Sequence, residues 1–106
     1  MTCIGIHVTA SGMRTATKAL RLDASEVQRV ANLRWAKGRG LADFTGPVEA
    51  YLLKSARLFH TTPRLHGRQV WWFGPAGCGS MALVYVELLS RPLWERHLAE
   101  LAAAQS

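Results

Sequence analysis

Apolar positions change period along this chain, and each change marks an element. In "TCIGIHVT", Ile4, Ile6 and Val8 alternate with Cys3, Gly5 and His7, a period of two that predicts a strand. The next segment, "SGMRTATKALRL", switches to helical spacing. Met13, Ala16 and Leu20 fall on one face, with Arg14, Lys18 and Arg21 on another at i, i+4 and i+7. A short helix with a basic stripe is expected there. Asp23 opens a second helix, because "DASE" has the capping-box form in which Asp23 accepts from the backbone and Glu26 reaches back. Val27, Val30 and Ala31 form its apolar side, and Gly38 and Gly40 in "KGRG" stop it.

"DFTGP" reads as a linker, Thr45 or Gly46 as the cap of a third helix, and Pro47 as its first turn. Val48, Leu52, Ser55, Ala56 and Phe59 give that helix a buried stripe, and "HTTP" ends it near His60. "RQVWWF" and "MALVYVELL" are strands by β-branched and aromatic content. The breakers of "GPAGCGS" between them predict an antiparallel hairpin with a long loop. Arg91-Pro92 ends the last strand, and "PLWERHLAELAAAQ" is a C-terminal helix with Leu93, Trp94, Leu98 and Leu101 inward. The order predicts a single α+β domain over residues 1–106. Its layout is a small antiparallel sheet with helices packed on one face and a C-terminal helix.

Composition adds a charge argument. The 106 residues are 49% hydrophobic, enough for a core without disulfides or metals, and carry a net charge of +6. Residues 1–22 hold Arg14, Lys18 and Arg21 and no acid; residues 50–86 hold Lys54, Arg57, Arg64 and Arg68 and again no acid. Merged into one face, these segments would attract a phosphate backbone or an acidic protein surface. The longest apolar runs, Val70–Phe73 and Met81–Val86, are far short of the roughly 20 residues of a membrane span. "MTCIGIHVTASG" lacks the basic and apolar regions of a signal peptide, so the expected setting is the cytoplasm, with no membrane partner. Cys3 and Cys78 lack a Cys-x-x-Cys spacing and read as ordinary thiols; no metal-ligand pattern and no cofactor motif is present. "GPAGCGS" lacks the Lys-Ser/Thr of a phosphate-binding loop and is a turn.

The chemistry-bearing stretch is "RLHGRQVWWF". Alternation puts His66, Arg68, Val70 and Trp72 on one face and Gly67, Gln69, Trp71 and Phe73 on the other. One Trp must face the helices, while the other faces solvent, a partner or the C-terminal helix. An exposed Trp beside cations would make a base-stacking platform. The candidate binding residues are Arg14, Lys18, Arg21, Arg64, His66, Arg68 and Trp72. RNA cleavage would draw instead on His7, His60 or His66 as acid and base, with Arg64 and Arg68 on the phosphate. Tyr85 and Glu87 share a face of the last strand and would join them.

The helical first half leads through Gly46, Tyr51 and Leu52 to a hairpin ending in Leu83, Val84 and Val86. In that layout the chain resembles a group of small phage and prophage proteins, broadly similar to the RelE/ParE-like toxin fold, whose members include messenger-RNA endonucleases. The resemblance runs over roughly residues 8–92 and rests on spacing and apolar pattern. It implies a RelE-like layout and an endoribonuclease toxin using Arg64, His66, Arg68 and Tyr85. Such proteins usually open with a His followed at helical spacing by Arg. Here Ser11, Thr15 and Ala19 stand on that row, Arg14 and Lys18 sit one position off, and Tyr85 replaces a common Thr. The leading expectation is therefore a non-enzymatic binding protein of a phage or other mobile element. It would engage nucleic acid or a host nucleoprotein complex, as an anti-CRISPR type of defence inhibitor does. The alternatives are the toxin and a homodimeric assembly protein joined through an exposed Trp71 or Trp72.

Overall fold

The computed structural model describes residues 6–76 and 80–105. Cys3, Ile4, Gly5 and Cys78 lie outside them, so the first strand is described only over β1 (His7–Val8). Then follow α1 (Ala10–Leu20), α2 (Ala24–Lys37), a 3-10 turn (Leu41–Asp43) and α3 (Gly46–Phe59). The chain closes with β2 (Thr62–His66), β3 (Gln69–Pro75), β4 (Met81–Leu88) and α4 (Arg91–Gln105). The class is α+β, as the order of periods predicts.

The strands form one four-stranded sheet in the order β1-β4-β3-β2. Two features depart from the expected layout. The sheet is mixed, because β1 runs parallel to β4 (His7 opposite Ala82, Val8 opposite Leu83), while β2-β3 and β3-β4 are antiparallel. Helices also cover both faces. On one face Val27, Val30 and Ala31 of α2 and Ala16 of α1 pack on Trp71, Phe73, Leu83 and Val86. On the other, Val48 and Leu52 of α3, with Phe44, pack on Leu65, Val70, Trp72 and Leu89, and Leu93 and Trp94 of α4 lean on them. Strands covered on both sides read as continuous apolar runs, which is why "VWWF" does not alternate. Both tryptophans are core: Trp71 is 0% and Trp72 3% exposed.

The stretch read as one strand from Arg64 to Phe73 is two. Gly67 and Arg68 form a tight turn, with Gly67 at φ +57°, a value that favours glycine and that hairpin turns use. The β2-β3 register places Arg64 opposite Trp71 and His66 opposite Gln69. The reversal moves His66 onto the Trp71 side, away from Trp72. A bulge between Trp72 and Phe73 then leaves Val84 unpaired, since Trp72 opposes Tyr85 and Phe73 opposes Leu83.

Backbone groups on both sides of the sheet find partners outside the named strands. Arg39, just past α2, exchanges two backbone hydrogen bonds with Leu65 on the outer side of β2, at 2.9 and 2.8 Å. Beyond β1, α1 takes over the edge of β4: Thr9 N and Oγ1 donate to the Leu83 carbonyl, and the Val86 amide donates to Thr15 Oγ1 at 2.9 Å.

Helix ends follow the sequence signals with local changes. Thr9 caps α1, its hydroxyl accepting from the Gly12 amide. Asp23 stands at the N-cap of α2, but the capping box does not form. Its backbone carbonyl accepts from the Glu26 amide, and the Glu26 side chain turns to Arg29 instead. Thr45 stands at the N-cap of α3 without a side-chain capping bond, and His60 ends the helix in the left-handed region at φ 53°. Phe59, expected inside, is 67% exposed. In α4 Leu98 and Leu101, also expected inside, are exposed, and His97 is buried in their place between the rings of Phe44 and Trp94, centroids 5.2 and 5.1 Å away.

Candidate binding surfaces

The cations of α1 reach solvent because the helix lies flat on β4. Gly12 comes so close to the Leu83 carbonyl that a Cβ there would collide with it, and Ala16 is fully buried. That fixes the rotation of the helix and turns Arg14, Lys18 and Arg21 outward, all exposed. Arg21 is the C-cap, in the left-handed region at φ 56°. None of the three has a carboxylate partner: among the described residues the only ion pair joins Arg29 to Glu26 at 2.6 Å.

The remaining predicted residues divide. Arg64 projects to the α2 side, where its guanidinium lies 4.4 Å from the Trp35 ring centroid. Nε donates to the Trp35 carbonyl at 3.4 Å and Nη1 to the Pro63 carbonyl at 3.1 Å. Arg68, in the turn, donates from Nε to the Leu89 carbonyl at 3.0 Å. His66 is exposed at the end of β2. Trp72 is no stacking platform; it is buried, and its indole Nε1 donates to Glu87 Oε2 at 3.1 Å. A dimer seam through an exposed Trp71 or Trp72 is equally absent from the monomer's surface.

Position in the sheet decides which cations share a surface. The contacts Thr9 to Leu83 and Thr15 to Val86 show α1 advancing along β4 toward Leu88. Arg68, tied to Leu89, lies at that end. Arg64 stands on β2, the opposite edge strand, with β3 between it and β4. The expected patch of Arg14, Lys18, Arg64 and Arg68 is therefore not continuous: Arg64 is separated from the α1 cations by the width of the sheet, and Arg68 is tied to Leu89 beyond the end of β4.

The ribonuclease constellation is not assembled. Arg64 opposes Trp71 and Tyr85 opposes Trp72, adjacent residues of β3, so the two side chains leave opposite faces of the sheet. His60 is the C-cap of α3, ahead of β2, whereas His66 is the last residue of that strand, whose length from Thr62 to His66 is about 13 Å at the usual rise. Among the described residues no cluster of three or more His, Cys, Asp or Glu could hold a metal ion, and no helix is long and apolar enough to cross a membrane. No family model, curated protein or solved structure matches the chain.

Tyr85 and Glu87 belong to a second feature that the strand pattern alone did not reveal. Between the C-terminal half of α3 and strands β3 and β4 lies a half-open groove of about 740 Å³. Tyr51, Phe59, Trp72 and Tyr85 line it with Val84, Pro75 and Ser55, and among the described residues Glu87 is its only carboxylate. Glu87 accepts from Trp72 Nε1 through one oxygen and from the Tyr51 hydroxyl through the other. Burial first, and then this hydrogen bond, push the Tyr51 phenol well above its ordinary value of 10.0. The signal in the sequence was the i, i+4, i+8 row Tyr51, Ser55, Phe59 on α3 facing the Tyr85, Glu87 pair.

Proposed function

We propose that this chain is a small binding protein whose partner presents phosphate, with nucleic acid as the direct ligand. The observation that carries the reading is the set Arg14, Lys18 and Arg21, exposed along α1 and at its C-cap and, among the described residues, without a carboxylate partner. Unpaired cations on a rigid helix release condensed counterions when they meet a phosphate backbone, and that release supplies most of non-specific affinity. Arg64 serves mainly as a stack on Trp35 in this reading, and Trp72 as core. The narrower proposal, an inhibitor acting on a host nucleoprotein defence complex, rests on the small size and strong basicity of the chain. A pull-down from host lysate with and without nuclease separates it from simple nucleic-acid binding.

The test is fluorescence anisotropy with a labelled duplex across a salt series. The triple variant Arg14→Glu, Lys18→Glu, Arg21→Glu should weaken binding and flatten the log–log salt slope by about 3, near 0.9 per lost phosphate contact. A control with Lys54→Glu and Arg57→Glu on α3 should bind like the parent. Losses in both variants in proportion to the charge removed would mean that net charge alone acts, and the α1 surface would lose its role.

A further inference from the structure

We propose that the groove between α3 and the β3-β4 face is a binding site for a small organic cation, an ammonium carried on an apolar or aromatic body. It lies on the α3/α4 face of the sheet, away from the α1 cation row, and is independent of nucleic-acid binding. Its volume, about 740 Å³, falls within the roughly 300–1,000 Å³ of small-molecule pockets. Tyr51, Phe59, Trp72 and Tyr85 offer ring faces or edges to its interior, with Phe59 and Tyr85 largely exposed at its rim. Aromatic walls attract a desolvated cation through the ring quadrupole.

The carboxylate sets the sign. Among the described residues Glu87 is the only acid in the groove, no Lys or Arg lines it, and His60 is its one basic side chain. A carboxylate has about four acceptor directions, and Trp72 Nε1 and Tyr51 Oη use one on each oxygen. Those two donors hold Glu87 in place and leave acceptor capacity on a residue that lines the groove and is half-buried rather than sealed. The net charge of +6 repels a cation at long range, but screening beyond about 8 Å at physiological ionic strength leaves the local carboxylate and rings in control. An anion or a neutral apolar molecule would gain nothing from Glu87.

The test compares phenethylammonium with phenethyl alcohol, the same skeleton with a hydroxyl in place of the charge. Binding is followed by two-dimensional NMR on the Trp72 indole N–H and the Val84 methyls of the full chain. The ammonium should shift both sets and bind about tenfold tighter than the alcohol. Glu87→Gln, which keeps an acceptor for Trp72, should remove that preference while leaving the weak binding of the alcohol unchanged. If Glu87→Gln lacks native dispersion, Tyr85→Ala at the exposed rim carries the test, with amine affinity falling about threefold or more. Equal affinity for the two ligands, shifts confined to residues outside the groove, or unchanged amine binding in the variant would overturn the proposal.

Discussion

The Arg64 guanidinium lies over Trp35 and bonds two backbone carbonyls, so its loss uncovers ring surface and strands acceptors at once. Arg64→Ala should lower stability by about 1–2 kcal/mol from the lost cation–π contact and stem packing. Arg64→Lys should restore only part, because an ammonium lacks the planar face that covers the ring. Urea unfolding checks this through a lower midpoint at unchanged slope; a midpoint equal to the parent's would show the stack to be energetically idle. Tyr51 gives a pH-dependent counterpart. Burial and the bond to Glu87 raise its phenol above 10.0, so the unfolded chain loses that proton first. The contribution is complete below pH 10 and declines as pH rises through the folded-state value. Tyr51→Phe should flatten the alkaline fall in stability, and the difference in phenolate absorbance between the two proteins should appear only above pH 10. A difference curve centred at 10 or below would contradict the hydrogen bond to Glu87.

α1 acts at the level of elements by replacing a strand. Where β1 ends, the Val86 amide of β4 would face no partner, and Thr15 Oγ1 accepts it from the helix. Thr15→Val keeps the shape and leaves that amide unsatisfied, which should cost about 1–3 kcal/mol and speed Val86 amide exchange. Thr15→Ser should restore protection; unchanged exchange in Thr15→Val would mean that the helix shields the edge by packing alone. The sequence carried α1 well, since Met13, Ala16 and Leu20 do pack inward. It misled where tertiary contact overrode local pattern. The "HGRQ" turn was a readable glycine signal lost inside an apolar stretch, and missing it put His66 on the wrong face. The helix stripes of α3 and α4 failed at Phe59, which stands at the rim of the groove, and at Leu98 and Leu101, all exposed. The α1 cation row was legible as periodicity alone. The groove was not, because it depends on a bulge at Val84 and on α3 crossing the far face.

For the whole molecule, charge and cohesion act in opposite directions. Thirteen Lys and Arg against seven Asp and Glu leave +6. Among the described residues the one ion pair, Arg29–Glu26, is largely exposed and so contributes at most about 1 kcal/mol. The net electrostatic effect on folding is therefore self-repulsion, held in check by the two apolar clusters on either side of the sheet. Salt screens that repulsion far more than it weakens the single pair. Added sodium chloride at moderate concentration should raise Tm while lowering affinity for nucleic acid, since the same unpaired cations drive both effects. The Arg14→Glu, Lys18→Glu, Arg21→Glu variant takes the net charge from +6 to about zero, so its Tm should respond to salt much less than the parent's. Paired melting and anisotropy series in sodium chloride read both slopes on one preparation. If salt lowered the parent's Tm, attractive pairs rather than free cations would dominate the surface, and the α1 row would not be available to a phosphate backbone.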